Sequence, residues 1–475
     1  MADSGVMRFT RRHRSGTPSL RLGAVGLAVL FAAGCSAEEP TAADLGLAEG
    51  PARLVLEPGD DPTEAAEQLA VPTPEPAAPD DPLGALASTE GLDDTEGAGD
   101  PETPSDDEED AVDADPTAPS GDEGGDIEQP SEPADLDGVI AELIAFVEAE
   151  RGHRFDPAPT VEALDAASFA AAVEEIIAVD TERFASELNE QTRVQRALGI
   201  LTPDQDLAQI QASFGDAGLT ALYDVNTRTV IVRDTTVTPL LRTSLVYELT
   251  RALDDQQFGI RRSDGVASVA EVEWARAALV HGSAAEIANR YRDTMSAAEV
   301  AEEEAEVAAL PRNVSLSLFT DSFLELQFGR QFYGELAAAA LWEQGQNAVD
   351  AAIADPPDSS EQLIAGADAG PAASIATPPA DAAALADGVW GQAGWIALFT
   401  ELMPPEEAEA LTQGWGGDAW VAWEAGTASC VRLHLAADSP DALDRYADSL
   451  ALWAENGDRQ LFFPTADLIR VTACG

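Results

Sequence analysis

Residues 245–259 run Leu245-Val246-Tyr247-Glu248-Leu249-Thr250-Arg251-Ala252-Leu253-Asp254-Asp255-Gln256-Gln257-Phe258-Gly259. Leu245, Leu249, Ala252 and Leu253 recur at helical spacing, which predicts one amphipathic helix. Phe258-Gly259 supplies its stop. On that helix Tyr247 and Arg251 stand one turn apart on a common face, with Glu248 beside them.

The same three positions organise a zinc-peptidase helix. In His-Glu-x-x-His, two imidazoles one turn apart hold the metal and the Glu activates water. The stretch resembles bacterial metallopeptidase-like lipoproteins, whose motif reads roughly His-Glu-Leu-Thr-His-Ala-Leu-Gln-Asp-Gln-His-Phe. Glu248, Leu249, Thr250, Ala252, Leu253, Asp255, Gln256 and Phe258 match it. Tyr247 and Arg251 stand where that motif has its metal-binding histidines. The resemblance implies an α+β, mostly helical zincin-like fold of the gluzincin type, with its metal chemistry removed.

The 475-residue chain is long enough for one large domain or two ordinary ones. It carries 87 Asp+Glu against 26 basic residues, all arginine, for a net charge of −61. Nucleic-acid binding depends on neutralising phosphates, so this balance argues against a nucleic-acid partner. It argues equally against an electrostatic patch for anionic lipid. The four histidines, His13, His153, His281 and His434, are scattered, with no pair at metal-ligand spacing.

Residues 1–34 read as a lipoprotein signal peptide. Arg11, Arg12, His13 and Arg14 form a basic start, and Leu22–Ala33 is an apolar run too short for an ordinary membrane span. It ends Ala32-Ala33-Gly34-Cys35, which resembles a bacterial lipobox, and the resemblance implies acylation of Cys35; the alternative is a plain secretory signal. The Arg11-Arg12 pair leaves Sec and twin-arginine export both open. Residues 35–135 hold that Cys and an acidic, Pro- and Ala-rich tether with Asp106–Asp110 as a block of carboxylates. Its few aromatic and β-branched residues cannot offset chain entropy, so it is expected to be disordered. As a coil it would reach about 50–60 Å. Its other reading is an acidic arm for a cation or partner.

A domain over 136–475 follows. Val139, Ile140, Leu143, Ile144 and Val147 predict a helix over Leu136–Arg151. Thr160–Leu164 reads as a strand, and Ser168–Val179 and Thr181–Leu198 as two helices. Leu219–Asp234 reads as a hairpin turning at Asp224–Thr227, directly before the motif helix. In peptidases of the resembled type, the corresponding edge strand lines the cleft and holds peptide by strand addition; the other reading is a hairpin that merely covers the core.

Val266–Tyr291 is expected to be the next helix or helix pair. It holds Ala278-Leu279-Val280-His281-Gly282-Ser283-Ala284, similar to the family phrase Ala-Leu-Val-Glu-Gly-(Asp/Glu)-Ala, so His281 stands at the third zinc-ligand position. Leu318–Leu341 and the run from Asp355 to Leu363 resemble further family segments. Gly366–Asp387 reads as a mobile loop. Gly414–Asp418 reads as a tight turn, and Val431–Leu435 and Leu468–Val471 as strands of a small C-terminal α+β layer. Cys430 and Cys474 suit one disulfide in an oxidising compartment, or two free buried thiols.

The expectation for the site is that Arg251 supplies the positive charge a metal would supply, pairing with Glu248, a relict or residual general base. His281 would hydrogen-bond to Glu248 or Tyr247. The bland alternative leaves 247, 251 and 281 as ordinary helix-surface residues. Two function classes follow. One is a non-catalytic surface lipoprotein, needing no cofactor, that binds a peptide, protein or envelope ligand in the cleft. The other is a working hydrolase, either metal-free or holding zinc through carboxylates such as Asp254, Asp255 or Glu286. A purely structural spacer is a third.

Overall fold

The computed structural model describes residues 135–260, 271–311, 315–366, 369–455 and 457–475. The expected signal peptide, Cys35 and all but the last residue of the tether lie outside the described residues, as does His13. The described chain is α+β, with thirteen α-helices and two small sheets. No helix among the described residues is long and apolar enough to cross a membrane.

Helix α1 (Leu136–Arg151) and strand β1 (Thr160–Leu164) fall where the sequence places them. Helices α2 (Ala166–Arg183) and α3 (Ala185–Leu198) meet at Phe184, and α4 (Leu207–Phe214) follows. The hairpin is β2 (Ala221–Asp224) and β3 (Thr229–Arg233), paired antiparallel with Ala221 opposite Val232. Asp224 builds its turn, accepting from Asn226 N at 2.9 Å and Thr227 Oγ1 at 2.6 Å. Strand β1 joins β3 in parallel, so the order is β1-β3-β2 and β2 is an edge.

The motif helix, α5, spans Pro239–Phe258. Thr238 caps its start, Pro239 takes the first-turn position where no N–H is needed, and Gly259 ends it at φ 71°. The amphipathic reading is corrected here. Leu240, Leu241 and every residue from Thr243 to Asp255 are buried. Helix α1, the hairpin, α6 (Glu271–Arg292) and α7 (Ala297–Ala309) surround α5, so its polar residues must find partners inside.

Helix α6 begins at Glu271; residues 266–270 of its expected range lie outside the described residues. It bridges two apolar cores. Ala275, Ala278, Leu279 and Val280 belong to one, and Ala284, Ala285, Ile287 and Ala288 to the other, with α5. His281 sits between them. Helix α8 (Asp321–Trp342) crosses α6 where Gly282 meets Gly334; a Cβ on Gly282 would stand 2.0 Å from the Gly334 carbonyl oxygen.

After α9 (Gln346–Ala354) and α10 (Ser360–Ala365), residues 369–383 form no helix or strand. The loop reading fits them, while residues 384–387, the end of the expected loop, lie in a strand. Ala373 N donates to Gly416 O, and Arg432 donates to Asp381 (2.7 Å) and to Pro379 O, tying the segment to the second sheet. That sheet is antiparallel, in the order β4-β5-β6-β8-β7, from β4 (Ala384–Gly388), β5 (Trp415–Ala425), β6 (Ala428–Ala437), β7 (Arg459–Thr465) and β8 (Leu468–Cys474). Helices α11 (Gly391–Phe399), α12 (Pro405–Thr412) and α13 (Pro440–Ala454) accompany it. Gly414 stands in a turn, as expected, at φ 81°, and β5 then begins with a bulge between Trp415 and Gly417, the latter at φ 131°. Cys430 and Cys474 face each other across β6 and β8, their sulfurs 2.01 Å apart, a bonding distance. Asp418, in β5, is buried. It accepts from Trp390 N, Gly391 N, Trp395 Nε1 and Trp415 Nε1 at 2.6–3.0 Å.

Candidate functional site

Four side chains singled out in sequence come together where α5 faces α6. Arg251 Nη1 donates to Glu248 Oε2 at 2.8 Å, one turn along α5, and both residues are buried. The surface-residue reading is therefore wrong for Arg251, and for Tyr247, which is also buried. Tyr247 Oη is hydrogen-bonded to His281 Nδ1, so of the two partners expected for His281 the structure selects the phenol. Burial holds the His281 ring well below the usual imidazole range, helped by the positive charges of Arg330 and Arg251. At neutral pH the ring is uncharged.

Glu248 has a second contact that sequence did not suggest. Tyr223 N, on the outer edge of β2, donates to the same Oε2 at 3.0 Å. The edge expected to receive an added peptide strand is thus occupied at Tyr223 by Glu248. One of the two carboxylate oxygens of Glu248 thus accepts two N–H donors.

A tetrahedral zinc needs three or more lone-pair ligands. These positions do not fit one: Arg251 is a permanent cation, and the Tyr247 phenol and His281 Nδ1 are bonded to each other. The alternative carboxylates do not converge. Asp254 accepts from buried Arg151 Nη2 at 2.6 Å, Asp255 from Tyr223 Oη at 2.8 Å, and Glu286 from Arg290 Nε at 3.0 Å. His153 pairs with Asp350 and packs edge-on against Phe258 at the end of α5, and His434 meets Arg470; among the described residues neither is hydrogen-bonded to Tyr247, Glu248 or Arg251. No group of three or more His, Cys, Asp or Glu placed to share a cation occurs among the described residues.

Beside this cluster lies a cavity of about 420 Å³, walled by α2, α3, α4, α6, α8 and the turn into α11. Leu222, next to Tyr223, lines it, and so does Arg330, whose charge reaches His281. The lining is mainly apolar, with Trp274, Trp390 and Phe323 among it. Glu271 borders it too, accepting from Ser360 N (2.8 Å) and Oγ (2.6 Å), and burial pushes its carboxyl up to about 7.

A second buried network escapes the sequence reading. Arg151 is fully buried, paired with Asp254 and Asp350, and lies near the rings of Trp342 and Phe258. Its signal was present: Val139, Leu143, Val147 and Arg151 recur every four residues, so a charge continues an apolar stripe. The cavity had no such signal, since its walls come from segments far apart in the chain. Comparisons with family models, with curated proteins and with solved structures find no match.

Proposed function

We propose that this chain is an exported lipoprotein, anchored through Cys35 to the outer face of the cytoplasmic membrane. Its folded domain is a metallopeptidase-like scaffold that binds a peptide, protein or envelope ligand rather than cutting it. Glu248 carries the reading: Arg251 Nη1 and Tyr223 N both donate to its Oε2, so an internal cation takes the place where the peptidase pattern has a metal. The order of hairpin, α5 and α6, with His281 set against Tyr247, supports the zincin-like relation on which this reading depends. The cavity beside the cluster offers a place for a ligand.

Metal analysis of the purified full chain tests this. The expected outcome is zinc well below one equivalent and no chelator-sensitive proteolysis. Stoichiometric zinc with turnover that is lost in Glu248→Gln would replace this reading with the hydrolase. For the anchor, Cys35→Ser should release the protein from the membrane fraction; retention would remove that part of the proposal.

A further inference from the structure

We propose that the cavity is a site for an uncharged saccharide of one or two rings, held by glutamine side chains. This deepens the binding reading above, giving the chemical class of its envelope ligand, and rests on it. The volume of about 420 Å³ is that of a small-molecule site. Of the fifteen glutamines from residue 135 onward, five line it: Gln191 and Gln195 on α3, Gln211 on α4, and Gln327 and Gln331 on α8. The α3 pair and the α8 pair are each spaced by four, so each pair lies along one helix face.

These amides are not spent on the fold. Among the described residues none of the five side chains is hydrogen-bonded to the protein. Seven of the ten glutamines elsewhere are. Gln191 and Gln195 are 8 % and 3 % exposed, so what surface they keep borders the cavity they line. Gln195 Oε1 and Gln211 Nε2 are closed off and play no part; the opposite end of each amide is not closed off in this way. An apolar ligand would strip water from these amides and return no hydrogen bond, which costs free energy at each. A charged ligand would find every charged residue of the lining already engaged within the protein. Asp180 accepts from Asn226 at 3.3 Å, Glu271 from Ser360 Oγ at 2.6 Å, and Arg330 has contacts of its own. A hydroxyl donates and accepts at once, as an amide does. A sugar ring carries one on most of its carbons. It therefore meets five amides in less volume than a peptide, which offers one N–H and one C=O per residue. Its C–H face suits the apolar remainder of the lining, where Trp274 is half-buried.

The test uses the full chain carrying Cys35→Ser, which keeps it free of detergent. Glucose, galactose, mannose, N-acetylglucosamine, cellobiose and diacetylchitobiose are titrated by calorimetry. At least one should bind with a Kd below about 1 mM. Decanol, acetyl-trialanine amide and the charged sugars glucuronate and glucosamine should bind at least about ten-fold more weakly, equivalent to one lost hydrogen-bonded group or more. Gln191→Met and Gln327→Met should each weaken the sugar about five-fold or more at an unchanged melting temperature, because neither amide is bonded to the protein. Gln209→Met, at an exposed glutamine of α4 outside the cavity, should leave binding unchanged. The assignment would be overturned if none of these neutral sugars binds, or if decanol, the peptide or a charged sugar binds as tightly. Sugar binding unchanged in both cavity variants, or an equal loss in Gln209→Met, would also overturn it. Zinc content and proteolysis are read on the same samples. A zinc-dependent protease that binds sugar through these glutamines defeats the proposed function alone, and a metal-free protein that binds no sugar defeats this inference alone.

Discussion

Glu248 and Arg251 are three residues apart on one helix, so their pairing follows from helical geometry wherever the helix is placed. Burial makes the pair matter. An exposed pair at this spacing contributes a few tenths of a kcal/mol, whereas a buried carboxylate stripped of its cation is strongly destabilising. Arg251→Leu is expected to lower the unfolding free energy by about 3 kcal/mol in a denaturant titration. The double variant Glu248→Leu/Arg251→Leu should recover part of that loss, since no charge is then stranded. An Arg251→Leu protein as stable as wild type would refute the pairing. His281 is different: its choice of Tyr247 over Glu248 was open in the sequence, because two helices had to be docked before either distance existed.

At the scale of elements, α6 and α8 set the frame. Their approach at Gly282 and Gly334 leaves no room for a methyl group, because a Cβ on Gly334 would also stand 2.0 Å from Ala278 O. Gly282→Ala is expected to cost about 2 kcal/mol, read as a lowered melting temperature, as the helices are forced apart. Gly259→Ala is a useful comparison, since nothing lies within 4 Å of the added carbon. There the cost should be about 1 kcal/mol and should come from the positive φ alone. Several elements were legible because their signals are local. Asp and Asn placed the hairpin turn, and apolar spacing marked α1. Strand β7 was not legible. Pro464 argues against a central strand, and β7 escapes that objection by lying at the sheet edge, with Phe462 and Phe463 exposed.

For the whole molecule, buried acids set the pH dependence. Burial pushes Glu271, Glu325 and Glu361 up to about 7 and Asp418 up to about 6. Between the ordinary carboxylate range and these values, the folded state holds protons that the unfolded chain has released. Stability contributed by these groups is therefore present at acid pH and lost as pH rises towards 7. His281 has the opposite sign. Its folded value is depressed, so its contribution falls as pH drops below about 6.5. Glu271→Gln isolates one acid. It should match wild type near pH 5 and exceed it at pH 8 by on the order of 2 kcal/mol, measured as unfolding free energy against pH. A difference independent of pH would show that Glu271 does not titrate in this window.

The sequence by itself determined the α+β class of the described chain, the hairpin ahead of the motif helix, the stop at Gly259 and the Glu248–Arg251 pair. Each depends on residues a few positions apart, where backbone geometry alone fixes what can meet. The tertiary structure decided that α5 is enclosed rather than amphipathic, that Tyr223 N caps Glu248, that Arg151 reaches Asp254, and that Gln195, Gln211 and Trp390 line one cavity. Those contacts join segments 25 to nearly 200 residues apart. Their partners are chosen by which surfaces pack together, and periodicity along the chain carries no record of that choice.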